Sequence, residues 1–103
     1  MKEKVIKVFD YGVGTTMSGR NIGNIIKNDI KAYFDMGIIV NLNFDGVENV
    51  THSFIDEVIG TYIQADFDKS VTNLKFTDCN ETIKSVIKFV FMDRKSKVKE
   101  KLT

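Results

Sequence analysis

Ser53 is the residue best placed to do chemistry in this chain. It lies in the run Asn43 to Gly60, NFDGVENVTHSFIDEVIG, where a strand-like apolar pattern meets Asp45-Gly46 and an apolar helical stripe begins at Ser53. The first-turn N–H groups of a helix have no intrahelical partners, and the helix dipole is positive there. A hydroxyl caps such an end well, and a phosphate is electrostatically welcome. A serine at this place needs no function, however. Ser53 with Asp56 three residues on is close to a capping box, and Thr51 offers a second hydroxyl for the same task. Phosphorylation would add about 1.5 to 2 negative charges, tolerable for the fold and repulsive toward an acidic or apolar partner.

The second candidate is GVGTTMSGRNIG, in which Gly14, Ser18, Gly19 and Arg20 open the first long helix as G-x-x-x-x-G-R-N. This is one step from a P-loop, and the step matters. A P-loop uses Lys to reach the terminal phosphates and Ser or Thr to hold magnesium; Arg20 and Asn21 replace both, which argues against nucleotide hydrolysis. A Gly-rich turn at a helix start can still bind an anion. The simpler account is a flexible connection that caps the helix through Ser18.

No reacting set can be assembled, so the chain reads as non-enzymatic. His52 adjoins Ser53, but neighbours in a helical turn do not face each other as base and nucleophile do, and no third group orients them. Asp10, Asp45, Asp56 and Glu57 are most simply solvated carboxylates, the last two favourable near a helix start. Cys79 is the one cysteine and His52 the one histidine, so neither an internal disulfide nor a zinc set can form. No cofactor or metal is expected.

With 103 residues, 43% apolar and 28% charged, the chain has the size and balance of a single globular domain, residues 1–103. Neither a membrane span nor a secretory signal is expected from the pattern of the chain, and a cytoplasmic location is expected. The formal net charge is +1, but residues 93–103 hold five Lys or Arg against two acids. That basic end, DRKSKVKEKLT, lacks aromatics and interleaves acids. A solvated, partly frayed helix end accounts for it better than nucleic-acid binding.

The elements that must position these residues follow from periodicity. Val5, Ile6, Val8 and Phe9 make a first strand, then Gly12, Gly14 and Gly19 punctuate a turn. From about Ser18 a helix carries Ile22, Ile25, Ile26, Ile30, Tyr33 and Phe34 on one face and is stopped by Gly37. Residues 38–44 switch period: Val40, Leu42 and Phe44 alternate with Asn41 and Asn43 as a central strand. Phe54, Ile55, Val58, Ile59, Tyr62 and Ile63 form the next helical stripe, with Asp56, Glu57, Thr61 and Gln64 toward solvent. Val71, Leu74 and Phe76 mark another strand. Ile83, Val86, Ile87, Val90 and Phe91 mark a last helix, entered through Asn80 or Thr82. Such alternation predicts an α/β fold: a small open, mainly parallel or mixed sheet of three to four strands with helices. The pairing of the first strand stays undecided, and the sheet edges offer a route to a homodimer or a partner complex.

The run NFDGVENVTHSFIDE resembles the STAS-like branch of the STAS family, the fold shared by sulfate transporters and anti-sigma factor antagonists. It matches at Phe44, Gly46, Val47, Val50, Thr51, Ser53, Phe54, Asp56 and Glu57, with Asn43 in place of the usual Asp. A weaker likeness covers Gly14 to Gly23, and the two together span about half the chain. The resemblance implies a bacterial or phage regulatory module that docks a protein partner through Thr51, His52, Ser53, Phe54, Asp56 and Glu57. It also implies a partner of the GHKL-type ATPase or serine kinase class, since Ser53 lines up with the serine phosphorylated in antagonists. The antagonist pattern has Asp-Ser before that serine and Gly after it; here Thr51-His52 precede and Phe54 follows.

Overall fold

A computed structural model describes residues 2–65 and 67–102, with side-chain surroundings for all of these except 67, 69, 71 and 98–102. Its centre is a parallel three-stranded sheet in which β3 (Ile39–Asn43) lies between β1 (Glu3–Lys7) and β5 (Leu74–Thr77). The register pairs Lys4 with Val40 and Val40 with Leu74, then Ile6 with Leu42 and Leu42 with Phe76. Strand pleating puts these residues on one face. There Ile6, Val40, Leu42 and Leu74 are buried in the core. The undecided pairing of the first strand is thus parallel, to the central strand.

The opposite face is polar, although parallel sheets are ordinarily covered on both sides. Lys75 Nζ pairs with Glu3 Oε1 at 2.7 Å, and Thr77 Oγ1 donates to Asn41 Oδ1 at 2.7 Å. Asn43 Nδ2 donates to Thr77 Oγ1 at 3.1 Å and to Asp78 Oδ2 at 2.7 Å. These bonds explain the alternating asparagines of β3. They also explain Asn43 itself, because an Asp there would set a carboxylate against Asp78.

The first strand ends earlier than its apolar residues suggest. Val8 and Phe9 are adjacent, and a strand would send them to opposite faces. The chain instead turns through a 3-10 segment, Val8–Tyr11, that buries Val8 and leaves Phe9 partly exposed. Phe9 lies over Gly46, where a Cβ would stand 3.1 Å from its ring, and Gly46 has φ +87°. A second sheet, absent from the periodicity reading, pairs β2 (Thr16–Met17) in parallel with β4 (Asn49–Val50). Two residues per strand leave no alternation to detect.

Helix α1 spans Arg20–Asp35, so it starts at Arg20 rather than Ser18; Gly19, at φ +86°, occupies the cap position without a side-chain bond. Ile26 and Ile30 are buried, whereas Ile25 is exposed, contrary to the apolar-stripe reading. The helix stops as expected. Gly37 adopts φ +72° and its N–H bonds Phe34 O at 2.9 Å, while Ile38 N–H bonds Tyr33 O at 3.0 Å.

After β4 comes a helical segment of three parts: α2 (His52–Ile55), a π-helical turn (Asp56–Gly60) and α3 (Thr61–Ala65). Its stripe Phe54, Ile55, Val58, Ile59 and Ile63 is buried as the spacing requires. Helix α4 (Phe67–Asn73) then takes in Val71, which the periodicity reading assigned to a strand. The last helix, α5 (Glu81–Leu102), is entered through Asn80, whose Oδ1 accepts the Ile83 N–H at 2.9 Å. It buries Ile83, Val86, Ile87 and Val90 against the core. Its backbone is helical to Leu102, so the helix takes in most of the basic end.

Candidate functional site

The small sheet decides where the site is. Because β2 and β4 run parallel and each leads into a helix, pairing them sets the starts of α1 and α2 side by side. Glu48 N–H bonds Thr15 O at 2.8 Å, and Thr51 N–H bonds Met17 O at 3.1 Å. The two stretches singled out from the sequence, Gly14 to Arg20 and Thr51 to Glu57, therefore meet in one place.

Thr51, not Ser53, is the cap. Its backbone is extended and its Oγ1 accepts the Phe54 N–H at 3.2 Å, so the helix begins at His52, one residue before the expected start. Both hydroxyls suit the role. Tertiary structure chooses Thr51, because the bond from its N–H to Met17 O fixes the chain in the extended conformation a cap needs. Ser53 is thereby released from capping, and the Oγ of this partly buried residue lies 3.3 Å from Thr51 Oγ1.

That hydroxyl opens on a shallow cavity of about 210 Å³. Arg20 borders it from α1, His52 and Ser53 from α2, and Phe89, Asp93 and Lys97 from α5. The His52 ring stands edge-on to Phe89, centroids 4.9 Å apart at 85°. Phe89 is 58% exposed and Met92 63%, so this stretch of α5 presents apolar surface beside the cavity. Phe54, a predicted contact residue, is corrected: it is 0% exposed, and its ring belongs to the core.

Asp56 and Glu57 are likewise not the solvated carboxylates expected. Arg94 holds Asp56 with two bonds, Nε to Oδ1 at 2.8 Å and Nη2 to Oδ2 at 2.7 Å, and also donates through Nη1 to Gln64 Oε1. Asp56, Gly60 and Gln64 recur every fourth residue, and the guanidinium lies over the glycine between the other two. A Cβ at Gly60 would stand 2.8 Å from both Arg94 Nε and Asp56 Oδ1. The hydrogen bond from Arg94 is the main reason the Asp56 carboxyl lies below its ordinary pKa, with burial opposing, and the same bond raises Arg94.

Arg20 adds longer contacts, 3.4 Å to Asp56 Oδ2 and 3.7 Å to Glu57 Oε1, while Lys27 Nζ pairs with Glu57 Oε2 at 2.7 Å. Gly23 lets α1 approach: a Cβ there would stand 3.0 Å from Phe54 O and Glu57 Cβ. Arg94 and Gln64 escaped the periodicity reading. One lies in a stretch that looks like a solvated tail, and the other on a face that looks like a solvent face.

The Gly14 to Ser18 turn packs against the β4 stretch. Thr16 and Met17 are spent on pairing with β4, and Thr15 Oγ1 donates to Glu48 Oε2 at 3.2 Å, which sets a carboxylate beside the turn. Of that group only Arg20 reaches the cavity. Among the described residues no cluster of three or more His, Cys, Asp or Glu could hold a metal, and no helix is long and apolar enough to cross a membrane.

A parallel sheet with a hydroxyl at the helix start after the Asp45-Gly46 turn is the arrangement the motif predicted, and comparison with protein families agrees. A model described as the STAS-like domain of unknown function (DUF4325) matches residues 19–84. The chain belongs to this STAS-like family. The match takes in Arg20, the Thr51 to Glu57 segment and Gly60, and stops before Phe89, Arg94 and Lys97 of the last helix. No significant match exists among curated proteins or solved structures. In this STAS-like domain, then, α5 supplies half of the cavity wall from outside the matched region.

Proposed function

We propose that this STAS-like domain is a non-catalytic regulatory module that docks a protein partner on the face formed by the start of α2 and the middle of α5, and that phosphorylation of Ser53 switches the docking. The observation that carries the reading is the division of labour between two hydroxyls: Thr51 caps the helix, which leaves Ser53, partly buried, bordering an open cavity without the capping role. Exposed His52 and Phe89 at the cavity, with exposed Met92 three residues further along α5, supply the apolar, aromatic character that interface cores favour.

The absence of catalysis in this proposal rests on the partners of the two neighbours. The His52 ring packs on Phe89 and the Ser53 hydroxyl faces Thr51, so base and nucleophile are not paired. The partner class proposed is a serine kinase of the GHKL ATPase type, which would act in the cytoplasm on nucleoside triphosphate. Anion binding by the Gly14 to Arg20 turn, the competing reading, keeps only Arg20 in a position to serve it.

The test is a binding titration of candidate ATPases against the unmodified chain, the phosphoserine form and Phe89→Ala. Phe89→Ala is expected to weaken docking at least tenfold while leaving the melting temperature almost unchanged, because the ring is largely exposed. The phosphoserine form is expected to bind at least tenfold more weakly. Equal, tight binding by all three forms would remove this face and this switch together.

A further inference from the structure

We propose that a phosphoryl group on Ser53 is gripped within the same chain by Arg20, with Lys97 as a second cation. The inference rests on Ser53 being the modified residue and adds what receives the charge. Both cations line the cavity onto which Ser53 opens.

The argument is one of which cation is free to move. Asp56 is approached by two guanidinium groups, and they are not equivalent. Arg94 meets it with a two-pronged contact at 2.8 and 2.7 Å, with its side chain 21% exposed. Arg20 touches the same carboxylate at 3.4 Å and Glu57 at 3.7 Å, with its side chain 58% exposed. Arg94 satisfies Asp56 alone, and Lys27 satisfies Glu57 alone at 2.7 Å. Arg20 is therefore the surplus cation, held loosely at the edge of the cavity. A planar guanidinium that leaves two long contacts for a two-pronged bond to a phosphate dianion gains in strength and in geometry.

Lys97 is similarly available. Its bond to Asp93 is a 3.3 Å pair one helical turn apart with both side chains about half exposed, the kind of pair that contributes little and yields to a stronger anion. The charged and titratable groups lining the cavity are Arg20 from α1, His52 and Asp56 from the segment after β4, and Asp93 and Lys97 from α5. Asp56 would repel a phosphate three residues before it if it stood alone. Arg94, itself anchored by Gln64, holds it over Gly60 and cancels its charge. Phosphorylation on this view fills the cavity and re-aims Arg20 while the fold stays intact. It needs no acidic partner to be felt.

The test reads the phosphate itself. Phosphoserine is installed at position 53 during synthesis, so neither kinase nor partner enters, and its second ionisation is followed by ³¹P NMR against pH. The same chain unfolded in urea supplies the reference, near pH 6 for a free phosphoserine. A cation at hydrogen-bond range favours the dianion, so the folded chain should titrate lower, by about half a unit or more. Arg20→Gln should abolish most of that drop and Lys97→Gln a smaller part. A folded value equal to or above the unfolded one overturns the proposal, and so does a drop that survives Arg20→Gln. Should Arg20→Gln fail to fold, Arg20→Lys carries the test: a point charge without the planar fork is expected to keep only part of the drop, and a drop kept in full overturns the role of Arg20. Failure of docking to respond to phosphorylation would leave this shift in place, so the two ideas fail separately.

Discussion

Gly60→Ala is a substitution whose sign depends on one ion pair. In an ordinary helix interior, exchanging glycine for alanine stabilises by about 1 kcal/mol, because alanine loses less backbone entropy on folding. Here the added Cβ would stand 2.8 Å from Arg94 Nε, 2.8 Å from Asp56 Oδ1 and 3.2 Å from Arg94 Cζ. All three atoms are ends of flexible side chains, so relief by movement is sterically cheap. Each is bonded to the other, however, so moving them breaks the two-pronged contact and the bond to Gln64. Hydrogen bonds to charged groups contribute about 1.5–3 kcal/mol, and the pair is about four-fifths buried, which places its loss toward the upper part of that range. Set against the propensity gain, Gly60→Ala should destabilise by about 1–2 kcal/mol, a melting shift of about 4–8 °C for each kcal/mol in a domain of this size. The assay is urea unfolding of four proteins: the parent, Gly60→Ala, Arg94→Ala and the double variant. With Arg94 already removed, Gly60→Ala should change sign and stabilise by up to about 1 kcal/mol. A stabilising effect of the same size in both backgrounds would refute the placement of the Arg94 guanidinium over Gly60.

Thr51→Ala should cost about 1 kcal/mol through loss of the cap, whereas Ser53→Ala should stay within about 0.5 kcal/mol, and the reverse order in the same unfolding assay would return the cap to Ser53. The Asp56 carboxyl is held below its unfolded pKa chiefly by the hydrogen bond from Arg94. A depressed carboxyl contributes stability that is present above the unfolded value, near pH 4, and is lost as pH falls through the folded value. The stability gap between the parent and Asp56→Asn should therefore be widest at neutral pH and close below about pH 4; a gap that stays constant from pH 7 to pH 3 would remove the ion pair from the account.

Local chemistry made much of the domain legible. The 3.6-residue stripe of Ile26 and Ile30, the glycine stop at Gly37 and the two-residue alternation of Val40, Leu42 and Phe44 are each set by neighbours in sequence. The elements they predict are the ones found. The family motif was legible for the same reason, being confined to fifteen consecutive residues from Asn43 to Glu57. The periodicity reading failed where two local solutions were equally good. Thr51 and Ser53 are both good caps two residues apart, and Val71 suits either a strand or the helix α4 it joins. It failed again at Phe9 and Ile25, apolar residues that the fold leaves exposed.

By itself, then, the chain's order of residues determined an α/β domain of the STAS-like kind and brought Ser53 to the start of a helix, because hydrophobic period, turn glycines and caps act over a few residues. Only tertiary structure decided that Thr51 would do the capping, that Arg20 would share a cavity with Ser53, and that Arg94 would lock Asp56 from 38 residues away. Those outcomes depend on the parallel pairing of β2 with β4 and on the packing of α5 against the helical segment after β4. Long-range contacts of that kind are selected by the packing of the whole core, and no local window of sequence contains them.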